Sequence, residues 1–197
     1  GFPLVVKASA GGGGRGIRMV TEPKGLAGAL RAVQDEATRS FRAGGIFLEA
    51  CVVAARHIEV QLVVGADGVG STLGIRDCSI QRRHQKVIEE APSPVVAGRL
   101  QAELERSAAR LGELVAYRGV ATVEFLVDPA RDFAHFLEVN TRLQVEHTVT
   151  ETVTGVDLVH VQLDIARGLP WERAVLGSDL PIGHGQPFGP SAGGPDG

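Results

Sequence analysis

The sequence has little cysteine, no long apolar run and no excess of positive charge, and each shortage excludes a class of protein. Its 197 residues hold two cysteines, Cys51 and Cys78, without the spacing of a zinc site and too few for a disulfide scaffold. They read as reduced thiols that pack rather than react, in a reducing compartment. No stretch approaches the roughly 20 apolar residues that cross a bilayer. No basic segment followed by an apolar one opens the chain either, so a cytoplasmic protein is expected. With 20 Lys and Arg against 23 Asp and Glu, the formal net charge of −3 gives no overall field for nucleic acid or an anionic membrane. What is there, 44% hydrophobic and 22% charged residues, is the composition of an ordinary globular protein. A start at Gly1 that enters an apolar strand almost at once reads as a piece of something longer.

Along the chain, Leu4 to Ala8, a glycine loop from Gly11 to Gly16, and Ile17 to Val20 read as strand, loop, strand. Leu26, Leu30, Val33, Ala37 and Phe41 recur at helical spacing and predict a helix from about Gly25 to Arg42. A strand from Ile46 to Cys51 follows. Ile58, Val60 and Leu62 then alternate with His57, Glu59 and Gln61, as in a half-buried strand, and Val69 to Ile75 returns beside it. Leu100, Leu104, Ala108, Leu111 and Val115 mark a second helix, Val120 to Val127 and Phe133 to Val139 two strands, and Asp157 to Arg167 a third helix. Strands and helices mix without βαβ repetition, so the fold class is α+β. From Gly183 to Gly197 nine of fifteen residues are Gly or Pro, which predicts a disordered tail.

Three constellations carry chemistry. Lys7 followed by four glycines suits a loop whose backbone N–H groups turn toward phosphate oxygens, with the lysine as a point charge. It is neither a Walker nor a Rossmann motif, and four glycines alone describe a flexible surface hairpin as well. Arg76 to Lys86 gathers Arg76, Arg82, Arg83, Lys86 and His84 in an otherwise acidic chain. That run suits a small anion such as phosphate or carbonate, with Gln81, His84 and Gln85 adding directional hydrogen bonds that a plain solvated charge run lacks.

In the third, Glu138, Asn140, Arg142, Gln144 and Glu146 fall on every second residue and share one face in extended chain. Glu138 and Asn140 would lie about 6.6 Å apart, so hard oxygen donors could share one or two Mg²⁺ or Mn²⁺ ions. The row to Glu146 would span about 26 Å if straight, so the chain must bend after about Thr141 to serve one centre. A hairpin through Asp128 to Asp132 would place Glu124 beside Glu138, and two carboxylates converging from paired strands imply a cation. The competing reading is the solvent face of an edge strand. Trp171 reads as a helix-start anchor, and His135, His160 and His184 receive no role.

These motifs, with Gly119 to Phe125 and Thr150 to Leu158, resemble the biotin carboxylase family of ATP-grasp enzymes over Gly1 to about His184. The resemblance implies antiparallel sheets with packed helices: a lid subdomain with the glycine-rich hairpin at 1–53, a catalytic core at 54–182, and the tail at 183–197. It implies that Lys7, Gly13, Gly14, the hinge Glu49, Ala50, Cys51 and Val52, and His57, Gln81 and His84 hold ATP. Glu124, Glu138 and Asn140 correspond to ligands of two Mg²⁺ or Mn²⁺ ions, and Glu124 and Glu138 to nucleotide contacts through them. Lys86, Arg142, Gln144 and Val145 match the bicarbonate site, and Glu146 the base, so Arg142, Glu146 and Lys86 are the expected catalytic residues.

The implied reaction is ATP-dependent carboxylation of biotin through carboxyphosphate. Its partners would be a biotin carboxyl carrier protein or domain, a carboxyltransferase component and a second copy in a homodimer. The sequence departs from the family pattern after Gly183 and His184, and Thr148 stands where the family has proline. The alternatives are another ATP-grasp carboxylate ligase, such as a carbamoyl-phosphate synthetase half, and a non-catalytic nucleotide-binding fragment.

Overall fold

A computed structural model describes residues 1–10, 16–42, 44–83 and 85–176. They form two compact units, Gly1–Ala54 with Ile80–Val87, and Ala55–Ser79 with the described residues from Ile88 onward. Gly13, Gly14, His84 and the expected tail lie outside the described residues.

In the first unit β1 (Leu4–Ala8), β2 (Ile17–Val20) and β3 (Ile46–Ala50) make an antiparallel sheet in the order β2-β1-β3. The Ala8 N–H donates to the Gly16 carbonyl at 2.9 Å, closing the ladder at the mouth of the glycine loop. Helix α1 (Pro23–Phe41) begins two residues earlier than its apolar spacing predicts, because Pro23 needs no N–H in the first turn. It ends at Arg42, whose φ of 53° is left-handed. Its Val33 and Ala37 pack on Val6, Ala8 and Val20, with Leu26 and Leu30 at the margin.

The larger sheet runs β6 (Gln85–Glu90), β5 (Gly70–Arg82), β4 (Arg56–Val64), β7 (Gly119–Asp128), β8 (Phe133–Asn140). β4 lies antiparallel to both β5 and β7, and β7 to β8. One face carries Ile58, Val60, Leu62 and Val64 of β4 with Ala121, Val123, Phe125 and Val127 of β7, and α2 (Gly98–Leu114) covers it through Leu100, Leu104 and Ala108. A Cβ at Gly112 would sit 2.8 Å from Val64 Cγ2, so only glycine lets α2 approach this closely. At one end of the opposite face Val63 and Val120 pack against α4 (Leu158–Ala166) and α5 (Trp171–Leu176). Among the described residues no helix is long and apolar enough to cross a membrane.

Two expectations are corrected, and one element is new. The strand expected to stop at Ile75 continues to Arg82, because Arg76 and Asp77 find buried partners instead of water. β4 is buried on both faces, because the side opposite its apolar residues is roofed by a polar network rather than by solvent. The segment after Glu146 forms a helix that its composition did not announce, α3 (His147–Thr154), closed by Gly155 at φ 72°.

Candidate functional site

In the first unit Lys7 projects from β1 and Glu49 from β3, two residue pairs apart in the antiparallel register and so on one face, and their side chains form an ion pair. The expected hinge starts inside β3 and leaves it after Ala50. The Cys51 N–H donates to the Pro3 carbonyl at 3.1 Å, and Cys51 and Val52 are half-buried. Gln81, near the end of β5, and Lys86, second residue of β6, are half-buried as well.

The second unit brings the other candidates together on the polar face of the large sheet. Glu124 on β7 and Glu138 on β8 are direct register partners beside a bulge, as the hairpin argument expects. Like charges so placed repel unless something lies between them. Here the Asn140 amide does: Nδ2 donates to Glu124 Oε1 at 2.8 Å and to Glu138 Oε1 at 3.3 Å. Glu124 is buried and also accepts from Gln144 Nε2 at 3.2 Å, while His57 Nε2 lies 2.8 Å from its other oxygen. Two carboxylates from adjacent strands are a hard-oxygen pair whose chemistry fits Mg²⁺ or Mn²⁺, and the Asn140 carbonyl would join them if its amide turned its oxygen, in place of Nδ2, toward the pair.

β8 ends at Asn140 and the chain turns, which breaks the alternating row where the length argument requires it. Beyond the turn, Gln144 and Glu146 are buried, whereas Arg142 and Val145 are exposed, Val145 to 89%. Among the described residues Arg142 Nη1 donates to the adjoining Leu143 carbonyl, at 3.2 Å, and its exposed guanidinium is presented outward. Glu146 stands at the start of α3. Its carboxylate, that of Glu59 and the Cys78 thiol have ligand atoms within 4.8 Å of one another, so the thiol expected only to pack is buried beside the candidate base.

Sequence reasoning assigned no role to Glu59, Gln61, Thr122 or Thr150, and placed Arg76 in an anion-binding run. Arg76 is fully buried and bonded within the protein, so it is not available to an anion. The available signal was the alternation of polar side chains along two strands otherwise rich in valine and isoleucine. A second buried cluster lies on β5, where Asp77 accepts from Arg56 Nη2 at 2.7 Å, from the Ser79 N–H at 3.1 Å and from Ser93 at 3.3 Å. Burial pushes the Asp77 carboxyl up, but the bonds from Ser79 and Arg56 outweigh it and hold it below the usual carboxylate value.

Residues 1–174 match the family model described as carbamoyl-phosphate synthase L chain, ATP binding domain. The chain belongs to this family. Its fold is the ATP-grasp fold of the solved structures it resembles. The biotin carboxylase of Nostoc sp. is 45% identical over 187 residues, 94% of this chain and 40% of the relative. A biotin carboxylase from Campylobacter jejuni, solved as a β,γ-ATP complex, is 41% identical with a TM-score of 0.84 over 89% of this chain and 40% of its own. The biotin carboxylase domain of 2-oxoglutarate carboxylase from Hydrogenobacter thermophilus, solved with magnesium ADP and bicarbonate, is 40% identical with a TM-score of 0.82 over 86% of this chain and 37% of its own. The chain therefore spans about two fifths of the length of these proteins.

Proposed function

We propose that this chain carries the nucleotide and bicarbonate chemistry of a biotin carboxylase. The observation that carries the reading is the convergence of Glu124, Glu138 and Asn140 on one sheet face, followed within six residues by Arg142, Gln144 and the buried Glu146. In this reading residues 1–53 supply Lys7, Gly13, Gly14 and the hinge Glu49 to Val52 to ATP, and residues 54–182 supply His57, Gln81, His84, Lys86, the acidic ligands and the base. The setting is cytoplasmic.

Bringing two anions together is the barrier the site must lower. Lys7 offsets charge on the phosphates, and a divalent cation held by Glu124, Glu138 and Asn140 adds charge neutralisation and alignment when bound. Arg142, planar and permanently charged, holds bicarbonate with Lys86, Gln144 and the Val145 backbone. Glu146 takes the bicarbonate proton as the bicarbonate oxygen attacks the γ-phosphorus and ADP leaves. The carboxyphosphate so formed divides into CO₂ and phosphate, phosphate removes the ring N–H proton of biotin on its carrier, and the ring nitrogen attacks CO₂. The carboxyl group then passes to a carboxyltransferase partner.

The test is phosphate release from Mg·ATP by the natural full-length protein, with and without bicarbonate and biotin. Release that needs bicarbonate and rises with biotin supports the reading. Release that needs bicarbonate but ignores biotin moves it to a carbamoyl-phosphate synthetase-like ligase. Nucleotide binding by calorimetry with no release under any condition makes the chain a nucleotide-binding module.

A further inference from the structure

Arg76 is fully buried on β5, yet its guanidinium reaches five side chains on four other segments of the second unit. Nε and Nη2 donate to Glu59 Oε2 at 3.3 and 3.1 Å, and Nη1 to Gln61 Oε1 at 2.7 Å, both on β4. Nη2 also meets Thr122 Oγ1 of β7 at 3.2 Å and Gln144 Oε1, in the turn after β8, at 3.5 Å. Nη1 reaches Thr150 Oγ1 of α3 at 2.8 Å. The last two contacts are the informative ones. A buried arginine needs one carboxylate to balance its charge, and Glu59 supplies it. The bonds to Gln144 and Thr150 bracket Glu146 and tie the turn and the first helical residues after it to the sheet that carries Glu124.

The Gln144 contact also decides which way its amide faces. A guanidinium only donates, so it holds Oε1 and leaves Nε2 to donate elsewhere, which it does to Glu124 at 3.2 Å. Arg76 therefore sits one hydrogen bond behind a bicarbonate candidate, Gln144, and two behind a metal-ligand candidate, Glu124.

We propose that Arg76 is a positioning residue that orients Gln144 and fixes the segment bearing Glu146 against the sheet, acting on the bicarbonate step and not on nucleotide binding. This rests on the reading of the site as a biotin carboxylase. Its planar fork is what matters: Arg76→Lys keeps the charge that balances Glu59 but has no geometry to serve β4, β7, the turn and α3 together.

The experiment compares wild type, Arg76→Lys, Thr150→Val and Thr150→Ser in the natural full-length protein, by amide hydrogen exchange and by steady-state kinetics. Arg76→Lys and Thr150→Val are expected to speed exchange in residues 141–154 by about tenfold while β1–β3 keep wild-type protection. The kcat/KM for bicarbonate should fall about 10- to 100-fold with KM for ATP unchanged. Thr150→Ser, which keeps the hydroxyl, should restore both.

Unchanged exchange in 141–154, equal acceleration throughout the protein, or equal losses toward ATP and bicarbonate would each overturn the proposal. If Arg76→Lys does not fold, the comparison of Thr150→Val, which keeps the shape and loses the hydroxyl, with Thr150→Ser, which keeps the hydroxyl, decides the same question. A wild-type protein with no bicarbonate-dependent phosphate release refutes the functional reading instead, and the exchange comparison still decides whether Arg76 holds the segment.

Discussion

Changing Glu138 and Glu124 separately to glutamine tests whether the acidic pair holds a nucleotide-bound cation, because the two differ in burial but share that role. Glu138 is exposed and accepts one long hydrogen bond, from Asn140 at 3.3 Å, so Glu138→Gln should leave the stability of the free protein within about 0.5 kcal/mol. Glu124 is 5% exposed and accepts from Asn140 and Gln144 with His57 at its other oxygen. Its amide replacement turns one accepting position into a donor, facing either the Asn140 and Gln144 amides or the His57 ring, which costs about 1–3 kcal/mol. At roughly 2–4 °C per kcal/mol for a chain of this size, the free protein's Tm should fall by about 2–12 °C.

Ligand then separates the roles. Mg·ATP at a hundred times Kd stabilises the wild type by about 2.7 kcal/mol, a rise of roughly 5–11 °C. Loss of one charged ligand worth about 3 kcal/mol weakens binding by about two orders of magnitude. The same nucleotide concentration then gives only about 0.4 kcal/mol, or a shift near 1 °C. Thermal unfolding monitored by circular dichroism, with and without Mg·ATP, gives both numbers from one preparation. A Glu138→Gln protein whose Tm rises with Mg·ATP as far as the wild type's does would refute the metal assignment, whatever the behaviour of Glu124→Gln.

Two further outcomes follow from single groups. Arg142→Lys removes a planar, outward-presented guanidinium and should lower bicarbonate-dependent phosphate release by at least about tenfold with Mg·ATP binding intact; near-normal turnover would sink the assignment of Arg142 to bicarbonate. For Asp77, whose carboxyl is held below its ordinary value, the stability it contributes is complete above the unfolded value near 3.9 and is lost as pH falls through the lower folded value. Asp77→Asn should therefore be less stable than wild type in urea at pH 7, and the gap should narrow only below about pH 4; a gap that is constant down to pH 2.5 would show that the charge is not what matters.

The parts of the site that could be read from sequence are those in which local geometry is decisive. The two-residue period fixes that Glu138 and Asn140 share a face, and the short hairpin through Asp128 to Asp132 leaves few registers, so the approach of Glu124 to Glu138 is legible in the sequence. The turn after Asn140 followed from length alone. What could not be read is what lies over a strand. His57, Glu59 and Gln61 alternate with Ile58, Val60 and Leu62 in the manner of a solvent-facing row, and a polar residue carries no mark of whether its partner is water or a buried arginine. Arg76 was misplaced for the same reason: beside Arg82, Arg83 and Lys86 it looks like one more surface cation.

Helix α3 shows the opposite failure. Six of the eight residues in His147–Thr154 are threonine or valine, a composition that favours strands. Its helical form therefore comes from its surroundings. Gly155 provides the left-handed stop, the Glu151 carboxylate accepts the Leu158 N–H at 2.7 Å, and Thr150 turns inward to Arg76 at 2.8 Å. A helix with weak intrinsic preference, held at its middle by a buried hydrogen bond, keeps its place only while that bond lasts. The helix that carries Glu146 at its start is thus the element whose position depends most on the polar network beneath it, and it is there that loss of one hydroxyl at Thr150 should be felt before the rest of the fold responds.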